Sequence, residues 1–390
     1  MKIKTEANPL FDFDTPVDRR GTASAKWDKY KGTDIIPLWV ADMDFVSPPA
    51  VLDALHARID HGVFGYTESS DGLIEVLGQM LLNRYGWKVR PEWILWLPGV
   101  VTALNVACRA VGSDNDSVLT AVPVYPPFLS APRHSRRCLI TVPLVQDHGR
   151  WGIDFEQLEK AITPRTRMII LCHPHNPVGR VFDSRELSQL VEICYRHDMV
   201  ICSDEIHCDL ILDRDKKHRP TASLGPEAAE RTITLMAPSK TYNLPGLGCS
   251  FAIISDENLR RRFKQSRAGI VSHVNTLGLV AARAAYRHGE PWHAALLEYL
   301  RGNRERVMQA VDRMPGLSMN HVEATYLAWI DVRSLNLEKP LEFFEKAGVG
   351  LSDGVHFDGP GFMRLNFGCP RSLLNRALER MRAAVEKLGR

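Results

Sequence analysis

The chain has 390 residues, of which 45% are apolar and 24% charged, and its formal net charge is +3. A chain of this size buries a large core and can form two lobes, and so small a net charge argues against a nucleic acid or an anionic membrane as partner. No apolar run approaches the ~20 residues of a membrane span, and the N-terminus lacks the apolar core of a signal peptide. The eight cysteines are scattered singly. We therefore expect a globular protein of the reducing cytoplasm, with no membrane or nucleic-acid partner.

Short apolar strands alternate with helical stretches between about residues 94 and 254, which is typical of a doubly wound, mostly parallel α/β sheet. The predicted strands are residues 94–97, 118–122, 168–172, 200–203, 232–236 and 250–254. Between the third and fourth strands, Asp183 and Glu186 resemble a capping box that opens a helix. Helical spacing then continues through Leu187, Leu190, Val191 and Cys194.

The pattern changes after a long charged helical stretch over residues 256–312. Residues 326–332 and 363–367 are predicted strands of an antiparallel sheet, separated by a helix over residues 341–347. We predict a large domain over residues 49–290 and a smaller α+β domain formed by residues 1–48 together with residues 291–390.

Lys240 follows the apolar strand 232–236 and precedes a Pro-Gly turn. A lysine at the end of a buried strand loses part of its hydration, which disfavours the charged form. One use of such an amine is to form a Schiff base with the aldehyde of pyridoxal phosphate (PLP). The alternative is an ordinary lysine whose side chain reaches solvent.

Two polar side chains follow other strands of the predicted sheet, where the ligands of parallel sheets bind. Asp204 ends the strand 200–203 and could pair with the pyridinium nitrogen of PLP, or cap the next loop. Asn176, in a rigid loop with two prolines and a glycine, could donate to the phenolate oxygen of the cofactor. His173 and His175 suggest a metal only weakly, because no third ligand has a suitable spacing.

Pro98-Gly99 leads from the first strand into an apolar helix over residues 103–110. The N-H groups and dipole at a helix N-terminus favour a phosphate, although this short motif matches neither the Rossmann pattern nor the phosphate-binding loop of nucleotide hydrolases. Tyr125 follows the second strand and could stack on a flat cofactor, or belong to the core.

Taken together and in this order, these motifs resemble a fold-type I PLP enzyme of the class I/II aminotransferase superfamily. The resemblance covers nearly the whole chain. It implies a large domain with a mostly parallel sheet flanked by helices, a smaller α+β domain, PLP as cofactor and Lys240 as the residue that binds it covalently.

The stretch 37–45 (Pro-Leu-Trp-Val-Ala-Asp-Met-Asp-Phe) looks like the opening signature of the cystathionine β-lyase, or carbon–sulfur lyase, branch. The stretch 203–209 (Ser-Asp-Glu-Ile-His-Cys-Asp) also looks like that branch, with His207 at the position where many aminotransferases carry a tyrosine. This resemblance implies that Trp39 and Ala41 bind substrate and that His207 contacts the cofactor. Core packing is the alternative role for Trp39 and Met43.

The same resemblance implies further contacts. Tyr66 matches a tyrosine that reaches the cofactor phosphate of the neighbouring subunit, which implies a homodimer with shared active sites. Arg364 matches the arginine that binds the substrate α-carboxylate through its planar fork. Arg371 is the competing candidate, but it follows Pro370 at a predicted helix start.

The chain departs from the family pattern at two positions. Many members have a basic residue eight positions after the Schiff-base lysine, where this chain has Gly248. Ala237 replaces a serine often found three positions before that lysine. The phosphate is then expected to depend on the backbone of Val100, Val101 and Thr102, on Ser239 and on Tyr66.

We therefore expect β-elimination from L-cystathionine or another cysteine S-conjugate, giving a thiol such as homocysteine, pyruvate and ammonia. Lys240 acts as the general base, a role that needs a lysine neutral near physiological pH. Transamination is the first alternative, because it uses the same residues. A regulatory protein of this fold is a second; such proteins carry a helix-turn-helix extension, for which residues 1–36 leave no room.

Overall fold

The computed structural model describes residues 11–388. Residues 1–10 and 389–390, which fall within the predicted small domain, lie outside the described residues. The described strands are β1 Ile36–Pro37, β2 Ile94–Leu97, β3 Ser117–Val122, β4 Cys138–Asp147, β5 Arg150–Ile153, β6 Thr166–Cys172, β7 Val200–Asp204, β8 Thr232–Met236, β9 Ser250–Ile253, β10 Ser318–Met319, β11 Leu327–Asp331, β12 Val349–Gly350, β13 Ser352–Asp353 and β14 Phe362–Asn366.

Helices cover the faces and ends of the sheets. They are α1 Ala25–Asp28, α2 Pro49–His61, α3 Asp71–Tyr85, α4 Val100–Ala110, α5 Pro127–His134, α6 Phe155–Lys160, α7 Ser184–Arg196, α8 Pro226–Arg231, α9 Pro238–Thr241, α10 Glu257–Arg267, α11 Thr276–His288, α12 Glu290–Asp312, α13 Pro340–Lys346 and α14 Arg371–Leu388. Across residues 11–388, no helix combines the length and the apolar character that crossing a lipid bilayer requires.

An eight-stranded sheet organises the larger part of the fold, in the order β2-β9-β8-β7-β6-β3-β4-β5. The pairs β8-β7, β7-β6, β6-β3 and β3-β4 are parallel. Alternating side chains face opposite ways: Met168 packs with the cluster that includes α4 and α10, and Ile169 packs with the cluster that includes α7. The predicted mostly parallel sheet between helical layers, the fold-type I architecture, is confirmed.

The predicted capping box is also confirmed. The Asp183 side chain accepts hydrogen bonds from backbone N–H groups of the first turn of α7, and the Glu186 carboxylate accepts the Asp183 N–H in return. The four apolar residues predicted to follow it at helical spacing are buried.

Two features of this sheet differ from the prediction. Strand β9 is antiparallel to both of its neighbours, because the connection from β8 contains only short helical turns and no crossover helix that would return the chain to the same end. Strands β4 and β5 were not predicted. Strand β4 lies between β3 and the edge strand β5, and most of its side chains are partly or fully exposed. Thr141 and Pro143 interrupt its apolar residues, so the strand lacks the continuous apolar run by which buried strands are found.

The long helical stretch predicted over residues 256–312 is three separate helices, α10, α11 and α12. A four-stranded antiparallel sheet, β10-β11-β14-β13, follows them. The predicted antiparallel pairing of its two central strands, β11 and β14, is confirmed.

The N-terminal part of the described chain contacts this C-terminal region, because β1 pairs in parallel with β12. That contact supports our proposed division into residues 49–290 and residues 1–48 with 291–390. The second boundary falls at the first residues of α12, which begins at Glu290.

Candidate active site

Four neighbouring strands of the large sheet deliver polar residues to one cavity of about 650 Å³. Tyr125 follows β3, Asn176 follows β6, Asp204 ends β7, and Lys240 follows β8. Since these strands are parallel, their carboxyl ends lie at the same edge of the sheet. These four residues, which span 115 positions of the chain from Tyr125 to Lys240, therefore line the same cavity.

Lys240 lies in the single helical turn α9, and its side chain is partly buried. The Nζ atom donates a hydrogen bond of 2.6 Å to the backbone carbonyl of Ala41. Burial, opposed by the nearby carboxylates of Asp42 and Asp204, lowers the pKa of the Lys240 amine to about 8. A substantial fraction of the amine is therefore neutral near physiological pH, as a nucleophile or a general base requires.

Asp204 is almost completely buried, with 4% of its surface exposed. Its carboxylate accepts a hydrogen bond of 3.1 Å from the backbone N–H of Ile206. Burial raises the pKa of Asp204 to about 7, against the opposing effects of that hydrogen bond and of Lys240. A carboxylate so poorly solvated is stabilised by any cation placed beside it, such as a protonated ring nitrogen.

Arg364 is anchored on one side and open on the other. Its Nη1 donates to Asn176 Oδ1 at 3.1 Å, and its Nη2 donates to the Trp39 carbonyl at 2.8 Å. The Nε atom is buried and has no hydrogen-bond partner within residues 11–388. Burial lowers the pKa of the guanidinium to about 10. This is the arrangement expected for a group that completes its hydrogen bonding with a ligand carboxylate.

The stretch 37–45 serves the cavity mainly through its main chain. The Trp39 and Ala41 carbonyls hold Arg364 and Lys240, and Asn366 donates to the neighbouring carbonyls of Val40 and Asp42. Core packing explains Met43, which is buried. The Trp39 indole lines the cavity and its N–H donates to the Lys26 carbonyl.

The part of the cavity formed by the start of α4 is suited to a phosphate. Helix α4 begins at Val100, three residues earlier than predicted, and no side chain caps its first N–H groups. Val100, Val101 and Ser239 line the cavity there, with Thr102. Free N–H groups and the positive end of the helix dipole together bind anions.

Gly248 also lines the cavity, and its backbone conformation explains the departure from the family pattern. Its φ is +56°, a left-handed value, and a Cβ at this position would lie 3.2 Å from the carbonyl oxygen of Pro98. A basic side chain at residue 248 would therefore be strained. Ala237 lines the cavity as well and offers no hydroxyl.

Two aromatic rings complete the part of the cavity that suits a flat cofactor. Tyr125 is partly buried, its backbone N–H donates to the Asn176 carbonyl, and burial raises the pKa of its phenol. His207 is buried, and burial together with the positive charges of Lys240 and Arg364 lowers the pKa of its imidazole to about 3. The ring is therefore neutral, and its Nδ1 has no partner within the described chain.

Of the residues predicted for the site, Tyr66 alone is not brought to this cavity. Its side chain is fully exposed, and residues 64–68 lie beside residues 272–277 at a separate hollow. Of the two candidate arginines, Arg364 lies in the cavity, whereas Arg371 begins α14 with its guanidinium 4.0 Å from the ring centroid of Tyr299.

Sequence analysis missed several residues that hold or line the site, among them Tyr326, Ser352 and Phe357. Tyr326 donates a hydrogen bond of 2.9 Å to the same Ala41 carbonyl that Lys240 uses. Ser352 donates to the Trp39 carbonyl, and the Phe357 ring lies 4.7 Å from the guanidinium carbon of Arg364. Tyr326 is the first residue of a predicted strand, and its polar hydroxyl could have marked it. Ser352 and Phe357 carry no local signal, because their partners are distant in sequence.

PLP fits the residues present. Within residues 11–388, the buried Nε of Arg364 and the buried Nδ1 of His207 have no hydrogen-bond partner, and no side chain caps the start of α4, which offers donors to a phosphate. Asp204 supplies the buried carboxylate for a protonated ring nitrogen, and Lys240 supplies the amine.

The fold and the arrangement of the site together are those of a known class of enzymes. Residues 33–381 match the family model for class I and II aminotransferases, so the chain belongs to that family, whose members use PLP. The chain is 40% identical to cystathionine beta-lyase PatB of Bacillus subtilis over 96% of this chain and all of that protein.

Two solved structures are similar over almost the full length. The crystal structure of OvoB superposes with a TM-score of 0.94 at 47% identity, covering 96% of this chain and 99% of that one. Cystalysin from Treponema denticola, which contains PLP, superposes with a TM-score of 0.93 at 34% identity, covering 97% of this chain and all of that one. The resemblance to the lyase branch of the family is therefore confirmed.

Proposed function

We propose that this protein is a PLP-dependent carbon–sulfur β-lyase that cleaves L-cystathionine or a related cysteine S-conjugate to a thiol, pyruvate and ammonia. The observation that carries the proposal is the convergence of three groups on one cavity: the Lys240 amine with its lowered pKa, the buried Asp204 carboxylate and the open side of Arg364. The similarity to a cystathionine beta-lyase at 40% identity supports elimination as the reaction.

Each group has a distinct task in this reaction. Arg364 binds the α-carboxylate and so fixes the α-carbon relative to the cavity wall. When bound, PLP would supply a conjugated ring able to accept the electron pair of the α-carbon–hydrogen bond. The sulfur would then leave the β-carbon as a thiolate, and water would hydrolyse the remaining three-carbon fragment to pyruvate and ammonia. Asp204 keeps the ring nitrogen protonated, and Asn176 supplies an amide donor near the ring oxygen. Because its pKa is lowered, Lys240 holds a free electron pair on Nζ and takes the α-proton there.

Transamination is the second candidate, because it needs the same groups up to the removal of the α-proton. The deciding experiment incubates purified holoenzyme with L-cystathionine and no keto acid, and measures thiol, pyruvate and ammonia. We expect the three products in equal amounts over many turnovers. Turnover that depends on an added keto acid would contradict the proposal, and the variant Lys240→Ala should form none of them.

We also propose that the active protein is a homodimer in which Tyr66 reaches the cofactor phosphate bound by the partner. Its full exposure, away from the cavity of its own chain, supports this assignment. All eight cysteines are free thiols, which supports a reducing compartment such as the cytoplasm.

A further inference from the structure

The cavity wall contains two charged residues for which the proposed reaction has no use. Five aspartate, lysine or arginine side chains line the cavity: Lys29, Asp204, Lys240, Asp353 and Arg364. The reaction at the cofactor uses Asp204, Lys240 and Arg364. One cation, Lys29, and one anion, Asp353, remain.

Both remaining charges are adjacent to the carboxylate-binding side of the site, and Trp39 links them to it. The Trp39 carbonyl accepts hydrogen bonds from Arg364 and from Ser352, at 2.8 and 2.7 Å. Asp353 follows Ser352 on β13, which pairs with the strand that carries Arg364. The Lys29 Nζ lies 4.8 Å from the centroid of the Trp39 ring.

These two groups lie nearer to solvent than Arg364 does. The Lys29 side chain is 40% exposed, whereas Arg364 is 4% exposed. Asp353 is partly exposed. A substrate whose carboxylate is bound by Arg364 would therefore extend its side chain from the buried end of the cavity toward Lys29 and Asp353.

Each group retains bonding capacity. The Asp353 Oδ1 accepts from the backbone N–H of Val355 at 3.0 Å, but within residues 11–388 its Oδ2 accepts no hydrogen bond and no cation pairs with it. The Lys29 ammonium donates to Tyr30 Oη at 2.9 Å and to Glu345 Oε1 at 3.4 Å. An ammonium has three donors, so one remains for a ligand.

We propose that Lys29 and Asp353 form a subsite for the distal amino-acid group of the thioether. Lys29 binds its carboxylate and Asp353 binds its ammonium. This inference deepens the proposed function and rests on it. It names the preferred substrates as cysteine thioethers whose far end carries a carboxylate and an ammonium on one carbon, of which L-cystathionine is one. Thioethers with a plain alkyl group use neither charge.

The test compares holoenzyme with two variants, Lys29→Met and Asp353→Asn, on four substrates. L-Cystathionine has both distal charges, S-carboxyethyl-L-cysteine only the negative one, S-aminoethyl-L-cysteine only the positive one, and S-ethyl-L-cysteine neither. Because the subsite is partly exposed, we expect each contact to contribute about tenfold in kcat/KM, or about 1.4 kcal/mol.

Lys29→Met is expected to lower kcat/KM about tenfold for the two substrates with a distal carboxylate, and Asp353→Asn for the two with a distal ammonium. Neither substitution should change kcat/KM for S-ethyl-L-cysteine by more than about twofold. Lys31→Met and Asp358→Asn, at exposed positions that do not line the cavity, are the matched controls.

The proposal is overturned if the wild-type kcat/KM for S-ethyl-L-cysteine equals that for L-cystathionine. It is also overturned if either substitution lowers kcat/KM equally for all four substrates. If none of the four compounds undergoes β-elimination, the proposed function fails. Dissociation constants for the same compounds, measured by calorimetry and by the change in cofactor absorbance, then still show whether Lys29 and Asp353 favour ligands with distal charges.

Discussion

The amine of Lys240 and the tyrosine hydroxyl of Tyr326 donate to one acceptor, the main-chain carbonyl of Ala41. This carbonyl belongs to a segment 199 positions before the lysine. Tyr326 keeps the carbonyl hydrogen-bonded when the amine leaves it to react. The lysine can therefore move between a resting contact and the cofactor without leaving this partly buried acceptor unpaired.

The lowered pKa of Lys240 predicts how the apoprotein takes up PLP. Only the neutral amine attacks the aldehyde, and raising the pH through about 8 increases its fraction. We expect the rate of covalent attachment to rise about tenfold per pH unit below this value and to level off above it. Absorbance stopped-flow across pH 6 to 10 measures this rate.

Lys264→Ala, which removes an exposed lysine on α10, should leave that profile unchanged. A rate that still rises about tenfold per pH unit between pH 9 and pH 10 would indicate the ordinary lysine pKa of 10.5 and would contradict the lowered value.

Arg364→Lys keeps the positive charge but removes the planar fork. We expect KM for L-cystathionine to rise at least about tenfold with a smaller change in kcat, since a lysine cannot bind a carboxylate through two parallel hydrogen bonds. Steady-state kinetics of thiol release measures both constants. Arg333→Lys, at an exposed arginine, is the control. Equal kinetics for Arg364→Lys and the wild type would exclude Arg364 as the carboxylate-binding residue.

Burial of Asp204 predicts a pH-dependent cost in the cofactor-free protein. Its folded pKa of about 7 exceeds the ordinary 3.8, so folding favours the protonated form. The destabilisation is absent below about pH 4 and complete above about pH 7. Asp204→Asn preserves the acceptor for the Ile206 N–H and removes the charge.

We therefore expect the free energy of unfolding of apo Asp204→Asn, measured by urea titration, to exceed that of apo wild type at pH 8 by at most about 4 kcal/mol. Near pH 4 the two free energies should be equal. Asp60→Asn, at an exposed aspartate, should behave as wild type at both values. A wild-type apoprotein that is the more stable of the two at pH 8 would contradict the prediction. In the holoenzyme the order should reverse, because PLP pairs with the carboxylate.

Tyr66→Phe tests the shared site. Although Tyr66 is far from the cavity of its own chain, we expect the variant to lose PLP about tenfold more readily, because the partner's phosphate loses a hydrogen bond. Equilibrium dialysis gives the dissociation constant, and light scattering should give twice the 43.9 kDa of one chain. Tyr195→Phe is the matched exposed control. A monomeric holoenzyme would refute the shared site.

Sequence patterns identified the residues whose role follows from their place at a strand end. Asp204, Asn176 and Lys240 each stand next to a buried apolar run, and the parallel arrangement of these runs brings them together. The strongly amphipathic helix α7 and its capping box were predictable for the same reason, since both are local patterns.

Contacts between distant segments could not be predicted in this way. The carbonyl of Trp39 meets Arg364 across 325 positions, and main-chain atoms have no signal in the sequence. The antiparallel direction of β9 depends on how the chain turns after Lys240. The apolar residues of β4 are interrupted by Thr141 and Pro143, so no local pattern marks it as a strand.

Burial moves Asp204, Lys240 and Arg364 toward their uncharged forms before any cofactor arrives. PLP reduces the cost of burying these groups, because its cationic ring nitrogen pairs with Asp204 and its aldehyde reacts with the amine of Lys240. The newly made polypeptide is then expected to open more often, and to be degraded faster, until vitamin B6 reaches it. The cellular supply of the vitamer would in that case affect how much of this enzyme survives in a cell, as well as how much of it works.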